Sequence, residues 1–249
     1  MKTEILITDL TQMSRDTVCV AGVTHQGVIV RPILPPPGIS ERHLFGGDQI
    51  IIRPRAVVTM DLKPKKAPEP PHIEDHIWYQ PETASMSRLA DDKTWRAALD
   101  KLIYPSVQDI FEVELEKNRS LEPGTGVRSL GTVCARIVKF SYAVDEHQIP
   151  KFRLSFYDHA DVGYFNLPIT DLTLRHYARW LTGQQKLAYE DASAQIEREI
   201  RKSVVYLRVG ITRPFQKSRH DDEKCYVQVN GIYTFPDYLG GKCFADFRR

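Results

Sequence analysis

Only four cysteines are spread over the 249 residues of this chain, at Cys19, Cys134, Cys225 and Cys243, and no two stand in CxxC spacing. That excludes a disulfide-framed secreted scaffold and the common zinc-ribbon layouts. No apolar run approaches the roughly eighteen residues of a membrane-spanning helix. The opening Met1-Lys2-Thr3-Glu4-Ile5-Leu6-Ile7 lacks the basic, apolar and small-residue order of a signal peptide, so a cytoplasmic location is expected. The P-loop, GxGxxG and GxSxG patterns are all missing, which leaves no sequence basis for a nucleotide-hydrolysing, dinucleotide-binding or α/β-hydrolase site. A large net charge is missing too: the balance is +2, so the chain as a whole is no polycation.

The composition that remains, 42% apolar and 27% charged, suits a globular protein of one large or two small domains. Its charge is unevenly placed. From Arg201 to His220 there are six Lys/Arg and no acid, and residues 175–249 carry a net +5 against −3 for the rest. A basic surface is therefore expected near the C-terminus.

Val/Ile/Thr-rich runs at Glu4–Leu10, Thr17–Val23, Gly27–Ile33 and Gln49–Met60 read as strands, broken at Ser14-Arg15-Asp16, His25-Gln26-Gly27 and Gly46-Gly47-Asp48. Ser87–Tyr104 has helical apolar spacing, and Ser106 can cap a short second helix. Thr132–Tyr142, Phe152–Tyr157 and Val162–Leu167 read as strands again. Helices from Thr170 to Leu181 and Lys186 to Lys202 follow, then strands at Val204–Arg213 and Cys225–Phe235. The order strands, helices, strands thus occurs twice, with a boundary expected at Asp145–Pro150. A small five-stranded barrel with a helical connection before its last strands fits each half. The expected fold is mainly β with inserted helices: one OB-like barrel over residues 1–145 and another over 146–249.

Three β-rich runs end in Arg-Pro, at Arg31-Pro32, Arg53-Pro54 and Arg213-Pro214. Proline has no N–H for a ladder and holds its predecessor extended, so each pair can place a guanidinium at a sheet rim. Such an arginine suits a phosphate, a carboxylate or an aromatic partner, or is simply solvated.

Several segments resemble a bacterial and archaeal family with two OB folds in one chain, the dual OB-fold (DuOB) family. They are 7–14 leading into Val18-Cys19-Val20-Ala21-Gly22, Val30-Arg31-Pro32-Ile33, Pro70-Pro71-His72-Ile73-Glu74-Asp75, Leu167–Leu172, Leu207–Phe215 and Gln228–Tyr238. The resemblance implies a pair of barrels found near modules that handle or defend nucleic acid. It carries no catalytic signature.

The C-terminal hairpin is the candidate site. Cations along a groove with aromatics that stack bases hold single-stranded nucleic acid. Alternation on Val204–Val209 sets Tyr206 and Arg208 on one face, taken as the solvent face, and Arg213, Phe215, Lys217, Arg219 and Tyr226 continue the set. Arg31 and Arg53 add rim cations. Tyrosines covering a sheet and arginines lining its edge would look the same. His72 and His76 flank Glu74 and Asp75, but the order is not HExxH and no third ligand stands out. Asp158-His159-Ala160-Asp161 and the charged run 219–224 read equally well as hairpin turns. The expected function is a non-catalytic nucleic-acid-binding or adaptor subunit, without cofactor or metal. It would engage single-stranded DNA or RNA and act with a separate enzyme subunit in genome defence. The alternatives are a metal-dependent nuclease or hydrolase, and a pure protein-interaction module.

Overall fold

Residues 2–13 and 16–248 are described in the computed structural model. Ser14 and Arg15, part of the expected first turn, lie outside them. The N-terminal runs form β1 (Lys2–Gln12), β2 (Val18–Thr24), β3 (Ile29–Ile33), β4 (Ala56–Pro64) and β5 (Asp75–Tyr79). β1, β2 and β3 make an antiparallel meander. β3 then runs parallel to β5, β5 pairs with β4, and β4 returns to β1. This closes a five-stranded barrel with the strand order of an OB fold around Ile5, Ile7, Val20, Val58, Leu62 and Trp78.

Two expectations need correction here. The run Gln49–Met60 is not one strand, because Pro54 offers no donor and Arg55 turns into the left-handed region at φ 74°, so β4 begins only at Ala56. The helix expected from Ser87 starts later. Ser85–Leu89 is instead a strand, β6, added to the outer edge of β4, and α1 spans Asp92–Asp100. Its start is set by Asp91, whose carboxylate accepts the Thr94 amide at 2.7 Å. Ser106 caps α2 (Val107–Phe111) as expected, accepting from the Asp109 amide at 3.1 Å.

The second lobe is built from β7 (Leu130–Val144), β8 (Pro150–Asp158), β9 (Gly163–Pro168), α3 (Leu172–Gly183), α4 (Tyr189–Arg201), β10 (Val204–Ile211) and β11 (Cys225–Phe235). Its sheet order is β9-β8-β7-β10-β11, a half-barrel whose ends meet at a parallel bridge between Ile169 and Val229. α4 packs Ile196 and Ile200 into its core. Beyond Ala135 the second edge of β7 has no strand partner. There Glu197 and Ser193 accept the amides of Phe140 and Tyr142 at 2.8 and 2.9 Å. A helix thus protects a sheet edge that would otherwise be open. Asp171, not Thr170, caps α3, accepting from the Leu174 amide at 3.1 Å.

Asp145–Pro150, expected as the lobe boundary, is the turn of the β7–β8 hairpin, where Asp145 accepts the amides of His147 and Ile149. The second sheet begins at Leu130, and Val107, Ile110 and Phe111 of α2 already belong to its core.

The lobes meet along β1, β10 and β11. Every residue of β10 after Val204 is buried: one face lies on its own core, the other against the first lobe. Bulges shape this junction. At Thr8 the β1–β2 register shifts, and at Asn230 the β10–β11 register shifts. The first aims Asp9 across the junction at Arg208, 199 positions away in sequence. Arg208 Nε and Nη2 reach the Asp9 carboxylate at 2.9–3.0 Å, and its Nη1 donates to Thr132 Oγ1 at 2.9 Å. Both side chains are essentially inaccessible to water. Tyr233 adds a hydrogen bond from its hydroxyl to the Thr8 carbonyl at 2.6 Å.

Removing one partner of a buried, hydrogen-bonded pair leaves a stranded charge and costs about 3–5 kcal/mol. Arg208→Met should therefore lower unfolding free energy in urea by about that much, and Asp9→Leu in the same chain should restore most of it. A single-variant loss below about 1 kcal/mol would mean that water reaches the pair.

Asp171 also sits at the junction, where burial raises its carboxyl to about 6 despite the amides that it accepts. A carboxyl with a raised folded-state pKa contributes stability below its unfolded value and loses it as pH rises through about 6. Unfolding free energy should fall by an amount on the order of 3 kcal/mol between pH 4 and 7 from this group alone. Asp171→Asn should flatten that part of the pH profile, whatever it does to absolute stability.

Candidate nucleic-acid interface

The structure divides the expected site residues into two groups. Tyr206 and Arg208 do share one face of β10, but that face is covered by the first lobe, not by solvent. Tyr206 is 2% exposed, donates to Asp100 Oδ1 at 2.6 Å and meets Phe235 edge-on at 5.2 Å. It cannot stack a base. Arg208 is consumed by Asp9. Arg31 is buried as well: its Nε donates to Asp75 at 2.7 Å and its Nη1 to Ser129 Oγ at 2.9 Å. Ser129 in turn donates its amide and hydroxyl to Glu74. Arg53 donates to the Gly241 carbonyl. Arg213 pairs with Asp75 while keeping 42% of its side chain exposed. All three arginines of the Arg-Pro pairs thus reach from one lobe's chain to the other's, and a hydroxyl, a carbonyl and a carboxylate are their partners there.

Phe215, Lys217, Arg219 and Tyr226 remain on the surface around the loop from β10 to β11. Lys217 Nζ lies 3.6 Å from the Tyr226 ring centre, and Phe215 meets Tyr226 at 4.9 Å. A two-residue strand at Ser120–Leu121 pairs with the start of β11 and brings Arg119 beside them. Burial and then the charges of Arg119 and Arg153 push the Lys217 ammonium below its ordinary value. Burial and Arg119 do the same to Arg153. Asp221 is the acid that partly offsets this crowding at Lys217. Cations held this close favour an added anion.

The patch continues over β8 and β9. On β8, Arg153, Ser155 and Tyr157 alternate with the buried Phe152, Leu154 and Phe156, so the former face outward. Arg119 donates to the carbonyl of Phe165, whose ring is 48% exposed. Phe165 meets Tyr157 edge-on at 5.8 Å, and the Arg136 guanidinium stacks 4.5 Å over Tyr157 while pairing with Asp161. The result is a line of aromatics and cations, Phe215, Tyr226, Lys217, Arg119, Arg153, Phe165, Tyr157 and Arg136. It runs from the loop between the last two strands of the half-barrel over its second and third strands and ends at Arg136 on the first. In OB folds, that strand face and that loop hold oligonucleotides and oligosaccharides.

Sequence reasoning missed Arg119, Arg136, Arg153, Tyr157 and Phe165. For Arg153 and Tyr157 the signal was present, in the same apolar alternation used for β10. Arg119 had none, since a distant two-residue pairing places it.

In the other polar clusters, Asp158 and His76 have structural partners. Asp158 is buried and accepts the amides of Val107 and Val162 at 3.1 and 3.0 Å, capping α2 and its own turn. His159 is exposed beside it. His76 is bonded to the Glu74 carbonyl, while His72 faces a cleft between the lobes. Among the described residues, no group of three or more His, Cys, Asp and Glu could hold a metal ion. Among the described residues, no helix is long and apolar enough to cross a membrane.

Compared with known protein families and with curated proteins, the sequence matches none.

Tyr206→Phe should lower stability by about 1.5–3 kcal/mol, the worth of a hydrogen bond to a charged group. Denaturant unfolding measures this. A stability loss below about 0.5 kcal/mol would mean that the Tyr206 hydroxyl is not held by Asp100.

Proposed function

We propose that this chain is a non-catalytic single-stranded nucleic-acid-binding protein of dual OB-fold type, contacting its ligand with the outer face of β8–β9 and the β10–β11 loop. The carrying observation is the continuous line of cations and aromatics across that face. Phosphates would lie along Lys217, Arg119, Arg153 and Arg136, and bases would stack on Phe165, Tyr157 and Tyr226. Arg31, Arg53 and Arg208 take no part. In this reading a separate enzyme subunit would carry out any reaction on the bound strand.

Titration with single- and double-stranded DNA and RNA at several salt concentrations tests the reading. Four cations neutralising about four phosphates predict a log–log salt slope near −3 on single strands. Replacing Arg153 and Lys217 by Ala should flatten it by about 1.4. Phe165→Ala should weaken binding by ~1–3 kcal/mol with the slope unchanged. Lys63, Lys65 and Lys66 lie on and beyond β4 of the other lobe and serve as a control. Equal losses on changing them, or no binding at low salt, would overturn the proposal.

A further inference from the structure

A cleft of about 240 Å³ opens between the two lobes. Its apolar walls include Val18 and Ile39 from the first lobe and Leu130 and Ile211 from the second. At roughly 30 Å³ each, about eight waters would fill it, more than the isolated bridging waters of a protein interior.

Two of its uncharged polar side chains, His72 and Thr11, have no hydrogen-bond partner among the described residues. His72 is 2% exposed, and neither ring nitrogen makes a hydrogen bond of good geometry among the described residues, although the Thr212 backbone lies near enough to act on the ring. Thr11 Oγ1, also buried, makes none. The amides of Gln228 and Asn230 line the same space, Asn230 Oδ1 accepting from Thr170 Oγ1 at 3.3 Å. Burial, with Arg31 and Arg213 nearby, holds the His72 imidazole down to about 3. At neutral pH it therefore presents one donor and one acceptor.

The charges at the cleft are balanced only with Glu74 included. Asp9 is held by Arg208, Arg31 and Arg213 share Asp75, and Glu74 is the further carboxylate facing Arg31. An anion would have to compete with those carboxylates, so a neutral occupant is favoured. Neutral donors and acceptors between apolar walls are what a heterocyclic base needs: edge hydrogen bonds and dry faces. Thr212 and the half-exposed Arg213 stand at the cleft and lead directly into the loop that carries Phe215 and Lys217.

We propose that the cleft receives a single unstacked nucleobase, read by His72, Thr11, Gln228 and Asn230, from a strand whose backbone lies on the neighbouring cationic face. The inference rests on the nucleic-acid reading above and adds a base-recognition site to it.

An abasic scan tests it. A single-stranded oligonucleotide of roughly twelve nucleotides, within the span of OB-fold sites, is titrated intact and with one base removed at each position in turn. Removal at one position should weaken wild-type binding roughly ten- to hundredfold. In His72→Phe, and independently in the milder Gln228→Leu, the intact strand should bind more weakly and that positional penalty should shrink. Arg153→Ala with Lys217→Ala should weaken intact and abasic strands equally. Saturation-transfer NMR with free adenosine, guanosine, cytidine and uridine supplies a readout independent of the strand. Transfer lost in His72→Phe and Gln228→Leu supports the cleft even if no oligonucleotide binds. If oligonucleotides bind but no position is sensitive and no nucleoside shows transfer, the cleft inference fails while the surface reading stands.

Discussion

The buried pair of Asp9 and Arg208 is the constraint on which the arrangement of the two lobes depends. Each charge would be prohibitively costly in the junction alone, so neither lobe can present this face to solvent in the folded chain without exposing or stranding a charge. The local irregularities serve it. The bulge at Thr8 turns Asp9 across the junction, and the same bulge frees the Thr8 carbonyl for Tyr233. Gly210 on β10 has no side chain because a Cβ there would lie 2.4 Å from the Asn230 amide nitrogen. The junction is consequently specific in geometry as well as apolar in bulk: a shift of one residue in either strand would point the wrong side chains across it.

The arginines before proline extend this fastening to the periphery. Arg31 reaches Ser129, Arg213 reaches Asp75 and Arg53 reaches Gly241. Extended geometry at a strand end does place a guanidinium at a sheet rim, but here the rim abuts the other lobe. With these groups committed inward, two other places among the described residues offer groups that a ligand could meet. One is the outward face of the half-barrel, where cations crowd and aromatics are exposed. The other is the cleft beside the junction, where charges are balanced and His72 and Thr11 lack partners among the described residues.

Period-two alternation made much of the fold legible. Cys225–Phe235 is a strand over its full expected length, and the paired strand–helix–strand order corresponds to the two lobes. Alternation also grouped Tyr206 with Arg208 correctly, but it cannot say what lies against a face. A strand buried on both sides, one of them through an ion pair with a residue 199 positions away, carries the same local pattern as a half-exposed one. The helix start at Asp92 and the lobe boundary were displaced for a related reason. Ser85–Leu89 takes strand form because β4 offers an open edge, and Asp145–Pro150 has the composition of a linker because a hairpin turn needs the same residues. In the candidate site, Phe215, Lys217 and Tyr226 were found from charge and aromatic composition. Arg153 and Tyr157 were readable and overlooked, whereas Arg119 depends on a pairing that no local pattern announces.

The proposed binding mode puts nucleic acid on the outer face of the half-barrel and not on the arginines of the junction. Ultraviolet cross-linking of a photoreactive single-stranded oligonucleotide, followed by mass-spectrometric mapping of the attached peptides, addresses it in one measurement. Cross-links are expected within 153–165 and 215–226, centred on Tyr157, Phe165 and Tyr226. Cross-links concentrated in the first barrel, on β4 or the Lys63–Lys66 segment, with none on those three aromatics, would contradict that binding mode.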